Sequence, residues 1–306
     1  MARVLPAWDR DNPNYGFVLG QYAFGLEEMG ELSRAESFGF KALEINAKDA
    51  WATHAIAHVL ETGCRQAEGI EFLKGSHANW SSAHALAVHN GWHLALYLIE
   101  EGGLPEVLAD YDRFIAPKLA ADSLLDLVDA AALLWRLELA GADVGSRWAP
   151  LADQWMTHAD DHVLVFNDMH IALAAARAGG DRVARLKTSL DTFAKAGAGD
   201  NHQITIEVGR TIIDAIVSFA EADYRRTTDL LLPIRYKVIR IGGSHAQRDI
   251  VTQTLIAAAE RSGQANLLKN LLAERYAVRP TGKTRHALIK AGGDIWIDFR
   301  SNSVCP

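Results

Sequence analysis

Cysteine, proline and long apolar runs are all scarce in this sequence. Two cysteines, Cys64 and Cys305, stand in 306 residues. They are too few for a disulfide framework, and they point to a reducing compartment, the cytoplasm. Apolar stretches such as Ala130–Leu134 fall far short of the roughly 20 residues that cross a bilayer, so no membrane span is expected. The residues after Met1 offer neither a long apolar core nor a small-residue cleavage site, so no signal peptide is expected. Basic residues are outnumbered: 31 Lys and Arg against 38 Asp and Glu leave a net charge of −7. Lys237 and Arg240 build no extended basic stripe, and a nucleic-acid partner is not expected. Catalytic signatures are missing as well. No G-x-S-x-G or H-E-x-x-H occurs, and Gly242-Gly-Ser is followed by no Gly-Lys-Ser/Thr, which disfavours nucleotide binding.

What the sequence does have is a period. The 8 prolines against 24 glycines suit helices joined by short glycine turns rather than a collagenous or disordered chain. Tyr22 to Asn46 reads as helix, glycine turn and helix. Gly25, Gly30, Ala35, Phe38 and Ala42 are small or aromatic where tetratricopeptide helices touch. The turn glycine recurs at Gly30, Gly63, Gly102, Gly141, Gly179 and Gly263, with Glu221-Ala222 filling the gap. Its spacing is about 33 residues once and about 38 to 42 afterwards, against 34 for a tetratricopeptide unit.

Helical periodicity pairs Trp92–Glu101 with Leu104–Ile115, Val128–Leu139 with Trp148–Trp155, and Val163–Arg177 with Val183–Ala194. It then pairs Ile204–Ala220 with Tyr224–Ile239, and Asp249–Glu260 with Ala265–Tyr276. The fold expected is an all-α, right-handed α-solenoid of about six or seven tetratricopeptide-like helix pairs. One domain covers residues 1–279, and residues 280–306 form a C-terminal cap or tail.

Several helices carry histidine and carboxylate where such repeats carry Ala, Leu and Tyr. Asp49-Ala-Trp-Ala-Thr-His-Ala-Ile-Ala-His-Val-Leu-Glu sets His54 and His58 four residues apart on one helical face, with Glu61 three further on. Ala87-Val-His-Asn-Gly-Trp-His repeats the spacing with His89 and His93, flanking Trp92. A face-sharing histidine pair can hold a divalent transition metal, and the metal candidates are His58, His89, His93 and His170. Asp126 and Asp129 open a strongly apolar helix, and Phe166-Asn-Asp-Met-His puts Asn167, Asp168 and His170 inside an apolar run. An unsatisfied buried polar group costs roughly 1 to 3 kcal/mol, so these residues imply partners. The plain alternative is a set of core histidines bonded within the protein. The tryptophans fall at helical positions and read as packing between helices.

Gly242-Gly-Ser-His-Ala-Gln-Arg-Asp reads first as a helix start. Ser244 followed three residues later by Gln247 is a capping box. Its exposed N–H groups are also suited to anions, with Arg248 and Arg235 supplying positive charge. Candidate ligand contacts from this region are Arg235, His245, Gln247 and Asp249.

These stretches, together with Leu134-Trp-Arg-Leu, Val144-Gly-Ser-Arg-Trp and Leu231-Leu-Pro-Ile-Arg-Tyr, resemble the tetratricopeptide repeat protein 38 family. They lie in the same order over nearly the whole chain. Members of that family carry a further N-terminal helical segment, so the resemblance implies a shortened version or a misplaced start at Met1. It implies a helical-repeat fold and names no reaction.

The leading functional expectation is a cytoplasmic helical-repeat protein that binds a peptide or small polar molecule. His54, His58, His89, His93, Asp129, Asp168 and His170 would gather in one pocket on a concave face. The alternative is a hydrolase or isomerase, metal-dependent or not, with histidine as base or ligand and a carboxylate orienting it. The third reading is a scaffold with every histidine satisfied internally.

Overall fold

The computed structural model describes residues 3–84 and 86–293 of the chain. Helices dominate, and no strand occurs among the described residues. The chain is all-α, as its periodicity predicts. Cys305 and residues 294–306 of the expected C-terminal tail lie outside the described residues.

Two compact units emerge. One comprises residues 3–107 with Arg275–Ala287, and the other Leu108–Glu274 with Leu288–Gly293. The first unit holds α1 (Tyr15–Glu27), α2 (Leu32–Ile45), α3 (Ala50–Thr62), α4 (Gln66–Gly75), the single turn α5 (His77–Trp80) and α6 (Ala87–Glu100). Consecutive helices are also spatial neighbours here: α1 packs on α2 and α3, and α3 packs on α4 and α6. Close approach follows from small residues. Ala35, Ala42, Ala52 and Ala57 are fully buried, and a Cβ at Gly39 would lie 2.5 Å from Ile56. Tyr22 and Phe38 meet edge to face at 4.9 Å between α1 and α2.

The helices start and stop on local signals. Asp49 caps α3, its Oδ1 accepting from Trp51 N–H and Ala52 N–H at 3.0 Å each. At the end of α1, Gly30 takes φ 80°, while Gly30 N–H and Glu31 N–H donate to Glu27 O and Leu26 O. This pair of bonds recurs at Cys64, Gly102, Gly141, Ala222 and Gly263, and all of them have positive φ. The second turn therefore pivots on Cys64 and not on Gly63, whose φ is −74°. Cys64 lies one 34-residue tetratricopeptide period after Gly30. Ala222 is exposed at φ 62°, a left-handed conformation that costs an L-residue roughly 1 kcal/mol and glycine almost nothing. Ala222→Gly is expected to raise the unfolding free energy by about 0.5–1 kcal/mol, read as a higher denaturant midpoint at unchanged slope.

The second unit contains α8 (Leu124–Leu139), α9 (Trp148–Trp155), α10 (Val165–Ala178), α11 (Arg182–Ala196), α13 (Arg210–Ala220), α14 (Tyr224–Leu231) and α15 (His245–Arg261), with the short α12 (Asp200–Ile204) before α13. Helices α7 (Leu104–Asp110), α16 (Ala265–Val278) and α17 (Gly282–Lys290) begin in one unit and end in the other. Buried α8 organises the core of the second unit. Trp155 Nε1–H donates to Leu127 O at 3.2 Å, and Trp135 Nε1–H to Thr254 Oγ1 of α15 at 2.9 Å. The Arg136 guanidinium, 2% exposed, donates to Ala246 O at 2.8 Å and Ala132 O at 3.2 Å.

Two expected helices end early, for reasons visible in the sequence. The helix expected over Tyr224–Ile239 stops at Leu231, and Leu232–Ile241 continues as a tighter coil. Pro233 has no N–H to continue the ladder. The helix expected over Leu104–Ile115 runs to Asp110, then widens over Tyr111–Ile115 and tightens over Ala116–Ala121, around Pro117.

The capping box forms at α15. Gln247 N–H donates to Ser244 Oγ at 3.3 Å, and Ser244 N–H to Gln247 Oε1 at 2.9 Å. Gly242 and Gly243 turn the chain into it at φ 94° and 75°. Ser244→Ala should lower stability by about 1 kcal/mol. Thermal unfolding checks this, and an unchanged midpoint would show that the hydroxyl is dispensable.

Candidate metal centre

Helices α3 and α6 meet through their histidines. Within each, spacing of four residues puts both rings on one face, and packing of the helices brings the faces together. His54, His58, His89 and His93 are 3%, 1%, 4% and 0% exposed. One ring nitrogen from each can be chosen so that all four lie within 4.8 Å of one another. His54 Nε2 and His89 Nε2 are 3.1 Å apart. The His54–His58 and His58–His93 ring centroids are 4.5 and 4.4 Å apart.

The surroundings are mostly apolar and aromatic. Phe24 of α1 packs at 5.2 Å on His54 and 5.1 Å on His58, and Trp92 stacks on His89 at 5.3 Å. Burial lowers the His54 pKa well below the ordinary histidine range, and His58 and His89 as like charges lower it further. A neutral imidazole is the form that binds metal. Two ring nitrogens 3.1 Å apart cannot both present lone pairs; a shared proton or a cation must lie between them. A tetrahedral zinc-like ion with Zn–N near 2.0–2.1 Å spans nitrogen–nitrogen edges of about 3.3 Å, against the 3.1 Å between His54 Nε2 and His89 Nε2.

Buried carboxylates flank the cluster. Glu27 of α1 is 1% exposed, and its Oε2 is 3.6 Å from His58 Nδ1. Thr62 Oγ1–H donates to Glu27 Oε1 at 2.7 Å. Burial pushes the Glu27 carboxyl up to about 7, against the opposing Thr62 bond. A carboxylate at the far ring nitrogen is how metal-binding histidines are usually oriented. Glu61, in the last turn of α3, accepts a hydrogen bond from the Arg279 guanidinium. Glu27 escaped the sequence reading. It has no histidine near it in sequence, and a carboxylate three residues before a turn glycine resembles any helix end.

The metal candidates from the sequence are His58, His89, His93 and His170, with His54 a candidate ligand contact that shares a face with His58. The structure supplies His54 as the fourth member. His170 lies on α10 in the second unit, and its Nδ1–H donates to Phe166 O at 2.7 Å. Asp129 and Asp126 lie buried on α8 in the second unit, as does Asp168 on α10, whose Oδ1 is 3.0 Å from His162 Nδ1. Asn167 is half-buried beside it.

The Gly242 region is engaged with itself. The Arg235 guanidinium pairs with Glu274 at 3.3 Å and stacks on Tyr236. Arg248 donates to Gly243 O and Gly242 O. His245 is exposed next to Arg248, Gln247 completes the capping box, and Asp249 accepts from Gln253 at 2.6 Å. The cations proposed for an anion at this helix start are thus committed to Glu274 and to carbonyls of the turn. Among the described residues, no helix is long and apolar enough to cross a membrane. Set against known proteins, the chain matches no family model and no solved structure.

Proposed function

We propose that this protein is a cytoplasmic, tetratricopeptide-like helical-repeat protein of the tetratricopeptide repeat protein 38 family, and that its N-terminal unit binds one divalent transition metal. His54, His58, His89 and His93 are its ligands. The observation that carries the reading is the convergence of four buried imidazoles whose ring nitrogens lie within 4.8 Å. Imidazole favours zinc, copper, nickel or iron over calcium or magnesium. Glu27 orients His58, and Phe24 and Trp92 keep water from the ligands.

Cobalt(II) titration of metal-stripped protein tests the reading. A tetrahedral histidine site gives intense visible d–d absorption that saturates at one cobalt per chain, and elemental analysis of the protein as purified gives one metal per chain. A featureless spectrum through saturation would overturn the proposal and leave the four histidines as core packing.

A further inference from the structure

The second unit carries a different juxtaposition, independent of the metal reading. The loop before α10 holds His162 in a left-handed conformation, φ 44°, which is uncommon for a residue with a side chain. Asn201 clamps it there. Its Nδ2–H donates to His162 O at 2.6 Å, and its Oδ1 accepts from Val165 N–H at 3.0 Å. The imidazole stacks on Phe193 at 5.0 Å. On one side, His162 Nδ1 is 3.0 Å from Asp168 Oδ1. On the other, His162 Nε2 is 2.8 Å from Ser189 Oγ.

The order of atoms matters. An ionised Asp168, 1% exposed, accepts the hydrogen bond of Nδ1–H, which leaves the Nε2 lone pair facing Ser189 Oγ. That is the tautomer a histidine needs to accept a proton from a serine nucleophile. A purely structural tie would need no access. Yet Ser189 is half-buried on α11 and lines a cleft of about 660 Å³, together with His162, Arg185 and Phe193. Arg185 lies four residues before Ser189 on the same helix, so both share a face. The Asp160 carboxylate is a second acceptor for the Ser189 hydroxyl and pairs with Arg185 at 3.2 Å, so the hydroxyl hydrogen must turn from Asp160 to the Nε2 lone pair before attack. The cleft thus has a nucleophile, a base, an apolar wall, and one cation paired with one carboxylate.

We propose that Ser189, His162 and Asp168 form a nucleophilic relay that hydrolyses small carboxylic esters through an acyl-serine. Ser189 Oγ bonds to the ester carbonyl carbon as its proton passes to His162 Nε2. The carbon–oxygen bond to the alcohol breaks, and the departing alkoxide takes that proton from the imidazolium. Water then attacks the acyl-serine, giving a proton to His162, and the carboxylic acid leaves as Ser189 recovers its hydrogen. Asp168 is a positioning residue, acting only through His162.

A fluorophosphonate probe tests the relay on the full-length protein. Wild type should gain one phosphonyl adduct by intact mass, mapped to Ser189 by peptide sequencing. p-Nitrophenyl acetate hydrolysis should fall about 100-fold or more in Ser189→Ala. Asp168→Asn should slow labelling at least about tenfold and lower kcat for the ester at little changed KM, a split that mere loosening of the fold would not produce. Circular dichroism and melting confirm that each variant is folded, and adduct mapping on wild type needs no variant at all. Folded wild type without an adduct, an adduct on another residue, or undiminished hydrolysis by Ser189→Ala would overturn the proposal.

Discussion

Replacing His58 or His93 by alanine is expected to abolish one-to-one metal binding, and replacing both should do no further damage. A four-imidazole site is lost once, whichever ligand goes first, so the two changes are strongly non-additive in metal content and in metal-dependent stability. The size follows from linkage. With free metal at about 100 times its dissociation constant, binding to the folded state alone adds about 2.7 kcal/mol to the unfolding free energy. Wild type should show this gain in a denaturant titration with metal against chelator, and both single variants should show none. Glu27→Gln should bind more weakly, by roughly 10- to 100-fold, because the ligand stays while the carboxylate that orients His58 is lost. Additive destabilisation by the two alanine changes, with no metal-dependent stability in wild type, would reduce the cluster to packing between α3 and α6.

Acid should weaken the fold through His170. This ring is 0% exposed. Burial lowers its pKa to about 4; the bond to Phe166 O opposes the shift, and the Arg136 charge adds to it. In the unfolded chain the same group titrates near 6.5. Above pH 6.5 it is neutral in both states and contributes no pH dependence. From pH 6.5 down to about 4 the unfolded chain binds a proton that the folded protein refuses. Stability then falls by about 1.4 kcal/mol per pH unit, roughly 3 kcal/mol across the window, and the slope vanishes below pH 4. His170→Gln keeps an N–H donor for Phe166 O and removes the titration. The difference between wild-type and variant unfolding free energies should slope between pH 6.5 and 4 and lie flat from pH 7 to 9. Parallel curves through the acid window would exclude His170 as the source.

Much of the local structure is legible because it rests on neighbours in the chain. The capping box of Ser244 and Gln247, the positive-φ turns at Gly30, Gly102, Gly141 and Gly263, and most helix spans follow from contacts within a few residues. A misreading arose where equivalent geometry was reached by another residue. Cys64, and not Gly63, adopts the turn that glycine adopts elsewhere, whereas the glycine-free turn at Glu221-Ala222 lies where the period puts it. The tight coil after Pro233 continues an apolar pattern that looks helical in sequence.

For the candidate site, spacing of four residues alone determined that His54 shares a face with His58, and His89 with His93. Helical geometry enforces this wherever the helices lie. Only packing decided that the two faces meet, that His54 rather than His170 completes the set, and that Glu27 of α1 reaches His58. The same holds for Ser189, His162 and Asp168. Their sequence separations match no motif, since a relay needs proximity in space and the chain reaches it through a strained loop and two helices. Periodicity and capping are encoded over a few residues and can be read in order. Chemistry between helices depends on which faces are buried against each other, and that is settled when the whole unit packs.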